Sequence, residues 1–431
     1  MDAQSIFVSA QERDNTMARQ TDVLVIGGGS IGVCCAYFLA DKSRDVTVID
    51  QNQIGAACSY GNAGVIARSH IIPLPAPGVL LKGFKWMFNR ESPLYIKPRL
   101  NRALLSWLAR FSIACRTAPM LRTMSLLNDL IRASMVIFEE LASRGGSEFH
   151  FARRGSLAIY ATADGFEEGI RQAEFVAPYG IVAKVLDPAR VREIEPRIQN
   201  RIVGGIYMKD DAHLNPSEFV AWLASQARSK GVSFLTATEV LGFETAGRRI
   251  STIRTTRGDF QADQVVLAAG SWSRGVAIDL GVSLPIQPAK GYSITVKSEA
   301  RDDSMPLWLS ESKVVVTPMG GILRFAGMLE LDGLNFSIDP RRLEAIRRAA
   351  REYLIDADEH QTVEIWRGLR PLSPDGLPIV GRSRKWANLI IATGHGMQGI
   401  SLGPITGKLI AQLIANEVPS ADVTALSEDR F

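Results

Sequence analysis

The chain has 431 residues, of which 46% are hydrophobic and 22% are charged. These proportions are typical of a soluble globular protein and exclude a disordered or fibrous chain. Because 49 basic and 45 acidic residues are mixed along the chain and give a net charge of only +4, nothing indicates nucleic-acid binding. At this length we expect two domains, one of which interrupts the other in sequence.

Three features bear on targeting and location. Residues 1–20 are polar and unpatterned, so we expect a flexible extension. Two uncharged stretches, 23–40 and 389–407, are as long as membrane spans, but their clustered glycines favour tight turns, and the acidic residues before the first are wrong for a signal peptide. The cysteines lack metal-ligand spacing, so we expect reduced thiols in a cytoplasmic protein; they are Cys34, Cys35, Cys58 and Cys115.

The first predicted elements form a βαβ unit. The apolar, β-branched run at 22–26 predicts a buried strand, a helical stretch follows to residue 39, and a second strand spans 45–49. The glycine motif Gly27-x-Gly29-x-x-Gly32 lies between the first strand and the helix, and Asp50 follows the second strand.

Each residue of this glycine motif has a role in binding a dinucleotide. Gly27 permits the tight turn, Gly29 lets the backbone approach a pyrophosphate, and Gly32 allows close helix–strand packing. Asp50 can accept hydrogen bonds from ribose hydroxyls, and the helix N-terminus attracts the phosphates. The alternative is a glycine-rich turn between core elements. The motif does not distinguish NAD from FAD.

The rest of the chain alternates helical and strand patterns. Residues 73–142 have helical spacing, 149–161 alternate like a strand, and 216–230 form an amphipathic helix capped by Asn215 or Ser217. Two helices follow later: an arginine-rich one at 340–354, whose arginines are expected on a solvated face, and a last one that ends near residue 415. Further strands are predicted at 232–235, 239–244, 250–255, 264–268, 292–296, 313–317, 323–326 and 388–392.

This order of elements predicts an α/β fold with a Rossmann-like dinucleotide-binding domain that is discontinuous in sequence. A substrate-binding or cap domain, made of a mainly antiparallel sheet and helices, is inserted into it. The predicted boundaries assign 21–72, 200–284 and 366–431 to the dinucleotide-binding domain, and 73–199 and 285–365 to the cap domain.

Three later motifs identify the kind of dinucleotide. They are Ser59-Tyr-Gly-Asn62-Ala-Gly64, Trp366-Arg-Gly-Leu-Arg370-Pro-Leu-Ser-Pro-Asp-Gly376 and Thr393-Gly-His395-Gly-Met-Gln398-Gly399. In order and spacing the chain resembles the D-amino acid oxidase superfamily of FAD-dependent oxidoreductases over about residues 21–416. Within it, the chain resembles most the bacterial D-amino acid dehydrogenases, with support from Pro77-Gly-Val-Leu-Leu-Lys82, Trp86, His213-Leu-Asn-Pro216 and Pro288-Ala-Lys-Gly291-Tyr292-Ser.

The resemblance implies FAD as the cofactor, and we expect it to be non-covalent because no cysteine lies in the C-terminal glycine loop. The last helix would direct its N-terminus at the flavin pyrimidine, where its dipole favours the anionic reduced ring; the alternative is a plain strand-to-helix connection. The expected FAD-binding residues are Gly27, Gly29, Ser30, Ile31, Gly32, Asp50, Gln51, Ser59, Asn62, Ala63, Gly64, Val240, Ala269, Gly270, Gly394, Gly396, Met397, Gln398, Gly399 and Ile400.

Three residues are expected to take part in catalysis. In the superfamily the arginine that matches Arg370 holds the substrate carboxylate, and a guanidinium fork suits a planar carboxylate. The alternatives are a structural ion pair with a residue such as Asp375, and Arg367 in the same role. The Tyr292 hydroxyl binds the carboxylate or belongs to the core, and His395 supports the flavin through its backbone.

The implied reaction is oxidative deamination of D-amino acids. A hydride passes from the substrate Cα to flavin N5, and the imine is hydrolysed to a 2-oxo acid and ammonia. Electrons pass to a quinone or another carrier. Glycine-oxidising relatives carry a second arginine where this chain has Met397, which argues against that specificity. The alternatives are the flavin subunit of a D-hydroxyproline, proline, opine or sarcosine-type dehydrogenase with a partner subunit, and a flavin-binding protein without amine chemistry.

The segment 77–115 interleaves aromatic and apolar residues with basic ones. Such a face suits a peripheral contact with the inner face of the cell membrane, where a quinone would be met. The alternative is that the apolar face packs on the substrate domain or covers the active site.

Overall fold

A computed structural model describes residues 18–80, 94–97, 101–298 and 304–431. The predicted N-terminal extension lies outside the described residues, except for residues 18–20. So does much of the segment 77–115, including Lys82 and Trp86.

The β-strands fall into two large sheets and one small one. In chain order the strands are β1 (Arg19–Ile26), β2 (Val46–Ile49), β3 (Val65–Ile66), β4 (Leu94–Ile96), β5 (Ser156–Tyr160), β6 (Ala183–Leu186), β7 (Gly204–Met208), β8 (Ala212–His213), β9 (Ser233–Leu235), β10 (Val240–Ala246), β11 (Arg249–Thr255), β12 (Phe260–Leu267), β13 (Gln287–Lys297), β14 (Leu307–Leu309), β15 (Val314–Pro318), β16 (Ile322–Leu331), β17 (Thr362–Leu372), β18 (Ile379–Arg382) and β19 (Leu389–Thr393).

The α-helices pack on the faces of these sheets. They are α1 (Ser30–Ala40), α2 (Arg102–Ala114), α3 (Thr117–Gly145), α4 (Ala163–Val176), α5 (Pro188–Ile194), α6 (Pro216–Ser229), α7 (Ser273–Asp279), α8 (Pro340–Tyr353) and α9 (Gly403–Ile414). Within the described ranges, no helix combines the length and the apolar composition needed to cross a bilayer.

The first sheet contains the predicted βαβ unit. Its order is β10, β11, β12, β1, β2 and β9, with β19 beside β12 and β18 beside β19. β12, β1, β2 and β9 are mutually parallel, and so are β12 and β19. Because helices cover them, the strands β2 and β19 are buried along their whole length, as parallel strands usually are.

The helices α1, α3, α6 and α9 share one hydrophobic core with this sheet. α1 packs along α9 at a very short distance, which small residues permit. A Cβ atom added at Gly407 would lie 2.5 Å from the carbonyl carbon and oxygen of Cys34. The sequence therefore needs a glycine at this crossing of two buried helices.

The second sheet has the order β17, β13, β16, β15, β14, β5, β7 and β6, with β4 beside β16. Its pairs are antiparallel except β14 with β5 and β16 with β4. α8 packs on one face and fills a second hydrophobic core. The mixed architecture confirms the predicted α/β fold with an inserted, mainly antiparallel sheet.

Four sequence predictions differ from the structure in detail. Helices were expected throughout 73–142, but the three-residue strand β4 lies within this region. The strand expected at 149–161 is confined to β5, because the chain turns at His150, whose φ is +52°. The prediction that the arginines of α8 lie on a solvated face is wrong for Arg342, which is 1% exposed. Asn215 occupies the N-cap of α6, but no side chain caps the helix.

The sheet order also bears on the predicted domain boundaries, which stay a prediction. β7 and the end of β17 lie in the second sheet, although 200–284 and 366–431 were assigned to the first domain. α3 lies in the core of the first sheet, although it falls within 73–199. The chain crosses between the two layers more often than the sequence pattern indicates.

Replacing Gly407 by alanine should lower the free energy of unfolding of the apoprotein by about 1–3 kcal/mol, because the new methyl group would force the backbones of α1 and α9 apart. Gly275→Ala is the matched control, since a Cβ atom at Gly275 in α7 meets nothing within 4 Å. Urea unfolding measures both. Equal stability of the two variants would contradict the close helix crossing.

Candidate cofactor and substrate site

A cavity of about 330 Å³ lies at the carboxyl ends of parallel strands of the first sheet. Ile26 and Ile49, the last residues of β1 and β2, line it, and so do Ala268 after β12 and Thr393 at the end of β19. In open α/β sheets this edge is where ligands bind, because the strand order leaves a crevice there.

Two glycines of the first motif allow α1 to begin beside this cavity. Gly27 has a φ of +111°, and a Cβ atom there would lie 2.5 Å from the carbonyl oxygen of Ala268. A Cβ atom at Gly32 would overlap the carbonyl oxygen of Gly27. At Gly29, by contrast, a Cβ atom would meet only the Ser59 hydroxyl, at 3.4 Å, so the backbone is open to a ligand.

The polar groups at this turn suit a dinucleotide. Gly29, the N-cap of α1, has no side chain to cap the helix, and of the first N–H groups that of Ser30 donates to Ser59 Oγ over 2.9 Å. The Asp50 carboxylate accepts from the backbone N–H groups of Gly28 and Asn52, each over 2.7 Å. Because a carboxylate has about four acceptor positions, Asp50 retains capacity for ribose hydroxyls.

The C-terminal glycine loop lines the other side of the cavity. Ser30 Oγ donates to the carbonyl oxygen of Gly399 over 3.2 Å and so joins the two glycine loops. His395 is buried, and its Nε2 lies 3.0 Å from Thr406 Oγ1. Its Nδ1 has no partner among the described residues. Burial lowers the pKa of His395 to about 3, so the ring is neutral at physiological pH.

Arg370 lies next to the cavity rather than on its wall. The described residues offer its side chain one hydrogen-bond acceptor, the carbonyl oxygen of Met328 at 2.8 Å, and no carboxylate within ion-pair distance. Burial lowers the pKa of the guanidinium, while the nearby Cys58 thiol, on the cavity wall, raises it. Asp375, the alternative partner considered from sequence, pairs with Arg430 instead.

Tyr292 and Arg367 point to the opposite face of the sheet from Arg370. β13 and β17 pair without a register shift here, with Ala289 opposite Arg370 and Tyr292 opposite Arg367, so odd and even positions separate onto the two faces. The Tyr292 hydroxyl donates to Glu330 over 2.9 Å in the buried core. The expectation that Tyr292 binds the carboxylate is therefore not supported by its placement, and the core alternative fits it.

Arg367 is engaged elsewhere. Its Nε donates to the carbonyl oxygen of Phe336 over 2.9 Å, and its guanidinium lies over the Phe336 ring, 5.1 Å from the centroid. Of the two arginines considered from sequence, Arg370 is the one beside the cavity wall without a protein partner for most of its donors.

The structure brings most of the expected cofactor residues to one cavity. Those on its wall are Gly27, Gly29, Ser30, Ile31, Asp50, Gln51, Ser59, Asn62, Val240, Ala269, Gly270, His395, Gly396, Gly399 and Ile400. Expected residues that do not line it are Gly32, Ala63, Gly64, Gly394, Met397 and Gln398. Gly32 and Gly64 instead permit close packing, and Met397 is 52% exposed. The binding role of each residue stays a prediction.

Sequence reasoning missed other wall residues. Besides Ile26, Ile49, Ala268, Ala392 and Thr393 at the strand ends, they are Asn52, Ala57, Cys58, Thr238, Glu239, Ser271, Trp272, Gly275, Val276, Asp279, Leu369 and Pro371. Thr238 follows β9, and Trp272 follows β12. The rule that ligands lie beyond the carboxyl ends of parallel strands was the available signal for these two positions.

A buried arginine on β16 fixes the loop that follows Ser59. Arg324 is 3% exposed, and its Nη1 donates to the carbonyl oxygens of Tyr60, over 2.8 Å, and Asn62, over 3.1 Å. Burial lowers the pKa of this guanidinium. The second sheet thereby positions a loop on the wall of a cavity that is formed mainly by the first sheet. No local sequence pattern predicts this contact.

The family model described as FAD dependent oxidoreductase matches residues 22–413. The chain belongs to this family. It is an oxidoreductase, FAD is its cofactor, and the predicted membership of the D-amino acid oxidase superfamily is confirmed. The match spans both sheets, so the whole described architecture is that of the family.

Individual relatives agree with this assignment. A protein named D-amino acid dehydrogenase from Granulibacter bethesdensis is 31% identical over 415 residues, which cover 95% of this chain and 99% of that protein. A protein of the same name from Bradyrhizobium diazoefficiens is 32% identical over 418 residues, which cover 95% of this chain and 98% of that protein. The crystal structure of glycine oxidase from Geobacillus kaustophilus superposes with a TM-score of 0.76 at 23% identity, covering 96% of this chain and all of that one. That similarity shows a shared fold.

The cavity fits FAD by its own geometry. The uncapped start of α1 meets the open space at Gly29, where a pyrophosphate needs backbone N–H groups. Asp50 follows β2 in a position suited to the ribose, and His395 lines the wall at the other side. We infer that these residues hold the cofactor.

The buried neutral His395 should make the apoprotein less stable as the pH falls. Because the unfolded chain protonates this residue near pH 6.5 and the folded chain only near pH 3, the free energy of unfolding should decrease between these values by about 1.4 kcal/mol per pH unit on account of His395. Urea unfolding of wild type and His395→Gln between pH 6 and 4.5 measures the difference in slope. Parallel pH profiles would contradict the neutral buried ring.

Proposed function

We propose that the chain is an FAD-dependent D-amino acid dehydrogenase, which oxidises a D-amino acid with water to a 2-oxo acid and ammonia and passes two electrons to a quinone or another carrier. The names of the relatives support the substrate class. The observation that carries the proposal is the partly free guanidinium of Arg370 beside the cofactor cavity.

Arg370 has the properties of a carboxylate receptor. A guanidinium has five N–H donors, and the described residues engage it through one acceptor, Met328. A half-buried cation without a carboxylate partner is unfavourable, so an anionic substrate gains more there than it would at an exposed arginine. The planar fork also orients the carboxylate, and thereby the Cα–H bond that is broken.

Bound FAD supplies the hydride acceptor for this oxidation. The chain supplies position: Arg370 holds the carboxylate, and the strand ends and glycine loops hold the cofactor. The neutral His395 adds no positive charge there. We further propose that FAD is held without a covalent bond, since Cys58 is the one cysteine on the described cavity wall and burial raises its pKa to about 11, which makes it a weak nucleophile.

Replacing Arg370 by alanine should leave FAD bound but greatly slow flavin reduction by D-alanine, with a loss of roughly 2–5 kcal/mol in transition-state stabilisation, because the substrate carboxylate loses its charged partner. Arg370→Lys should restore only part of the rate, since a point charge cannot form two parallel hydrogen bonds. Anaerobic bleaching of the flavin in a stopped-flow instrument measures the rates.

Arg367→Ala is the matched control, because this arginine lies on the other face of β17. The FAD released by acid from each variant shows that the site is loaded and that the cofactor is non-covalent. A panel of D-, L- and N-substituted amino acids distinguishes the proposed substrate class from proline-, opine- or sarcosine-type substrates. A normal reduction rate in Arg370→Ala would overturn the assignment of this residue.

We propose in addition that the protein meets its acceptor at the cytoplasmic face of a membrane through the exposed sides of α2 and the first turns of α3. The aromatic side of α2 packs inward, where Trp107 Nε1 donates to the carbonyl oxygen of Leu372, as the packing alternative expects. On the outer side, Leu105, Ile113 and Leu121 are exposed. Basic residues but no acidic ones occur in the sequence from 92 to 128, which suits anionic lipid.

The protein should therefore sediment with anionic liposomes at low salt and dissociate as ionic strength rises. The double variant Arg102→Glu, Arg116→Glu should bind more weakly, because two exposed cations of this surface become anions. Lys184→Glu, Lys209→Glu carries the same charge change on exposed residues around the second sheet and should bind as wild type does. Equal loss in both variants, or binding that ignores salt, would contradict the proposed surface.

A further inference from the structure

The Arg370 side chain lies over a position of the neighbouring strand β13 that has no side chain. β13 and β17 are paired so that Ala289 is opposite Arg370 and Gly291 is opposite Gly368, which places all four on one face of the second sheet. The Arg370 side chain reaches along the strands to Gly291. A Cβ atom built at Gly291 would overlap Nη1 and Cζ of Arg370 and would lie 2.5 Å from Nη2. The guanidinium therefore occupies the volume that any other residue at 291 would fill.

The second contact of the guanidinium comes from a β-bulge. On the other side of β13, Lys290 pairs with Glu330 and Tyr292 pairs with Gly327, so two residues of β16, Met328 and Leu329, face the single residue Gly291. Met328 has a φ of +63°, a backbone conformation that residues other than glycine rarely adopt. Bulges redirect groups beside active sites, and here the Met328 carbonyl oxygen is the acceptor for Arg370 Nη1.

The bulge is held from the opposite face of the sheet. Glu330 accepts from the Tyr292 hydroxyl over 2.9 Å and pairs with Lys290 at 3.4 Å and with Arg342 at 3.5 Å. Lys290 and Tyr292 are the two neighbours of Gly291 in sequence. Since all four side chains are buried, the strand segment that carries Gly291 is clamped to β16 on the side away from Arg370.

We propose that Gly291 and the Met328 carbonyl form a seat that sets the orientation of Arg370 and so determines the preference for substrates with an α-carboxylate. Gly291 and Met328 are positioning residues: the missing Cβ atom lets the guanidinium lie flat on β13, and the carbonyl fixes its rotation, which leaves the other N–H groups for the carboxylate. This inference rests on the proposed carboxylate-binding role of Arg370.

The seat is tested by Gly291→Ala. Gly291 does not have a positive φ, so alanine suits its backbone, and the atoms that must move belong to the end of a flexible side chain. The variant should fold, bind FAD and keep the Arg370 charge. A displacement of about 1 Å can reduce a rate roughly 10²-fold, so we expect a loss of this order in kcat/KM for D-alanine. Titration with pyruvate, followed by the visible flavin spectrum, should show a matching rise in Kd.

Ser293→Ala is the matched control, because Ser293 lies on the same face of β13 two residues further and its hydroxyl has no partner among the described residues. It should keep the wild-type kcat/KM. In an Arg370→Lys background, Gly291→Ala should add little, since the guanidinium that it displaces is gone; a general packing defect would instead add in full.

The outcomes separate the two proposals. If Arg370→Ala slows reduction but Gly291→Ala leaves kcat/KM and the pyruvate Kd unchanged, the seat is wrong and the proposed function stands. If Arg370→Ala itself has no effect, the seat and the proposed carboxylate-binding role of Arg370 both fall. Additive losses in the double variant would also overturn the seat.

Discussion

Where the chain passes from β1 into α1, its backbone comes so close to other backbone segments that no side chain fits between them. The Gly27 carbonyl lies against Gly32, and Gly27 itself lies against the carbonyl of Ala268. Larger residues would push α1 away from the strand ends, and the uncapped helix terminus would no longer reach the space in front of Gly29. The cavity, the helix terminus beside it and the position of Asp50 all depend on this contact.

The second sheet uses missing side chains for a different purpose. At Gly291 the free volume is filled by a charged group, and at Gly61 and Gly368 by the ring of Trp366, which a Cβ atom at either position would overlap. Gly291 on β13 and Gly368 on β17 thereby let the sheet backbone support a large side chain of β17, whereas Gly61 lies in the loop after Ser59 and packs on the same Trp366 ring from outside the sheet. Backbone support reduces the number of accessible rotamers, which limits the entropy lost when a ligand binds.

Local patterns were sufficient for the βαβ unit of the first sheet and insufficient for the bulge and the buried charges of the second. The β-branched run before Gly27 and the position of Asp50 predict a βαβ unit, because strand, turn and helix are encoded within 30 residues. The bulge at Met328 and the burial of Arg342 depend on pairing between distant segments, and arginine is usually solvated. A three-residue strand such as β4 is too short to show a period. That Arg370 and Tyr292 lie on opposite faces of the sheet could be deduced only from the strand register.

The distribution of buried charge explains why Arg370 remains available to a ligand. On the face of β13 that carries Tyr292, the cations of Lys290 and Arg342 meet the carboxylate of Glu330. On the other face, Arg370 has a carbonyl and a thiol as neighbours and no described carboxylate. An opposite charge at 4 Å would gain about 4 kcal/mol at an effective dielectric constant of 20. Because the sheet pairs its own cations on one face and leaves this one without an anion, part of that energy, less the cost of desolvation, favours the carboxylate that we propose it binds.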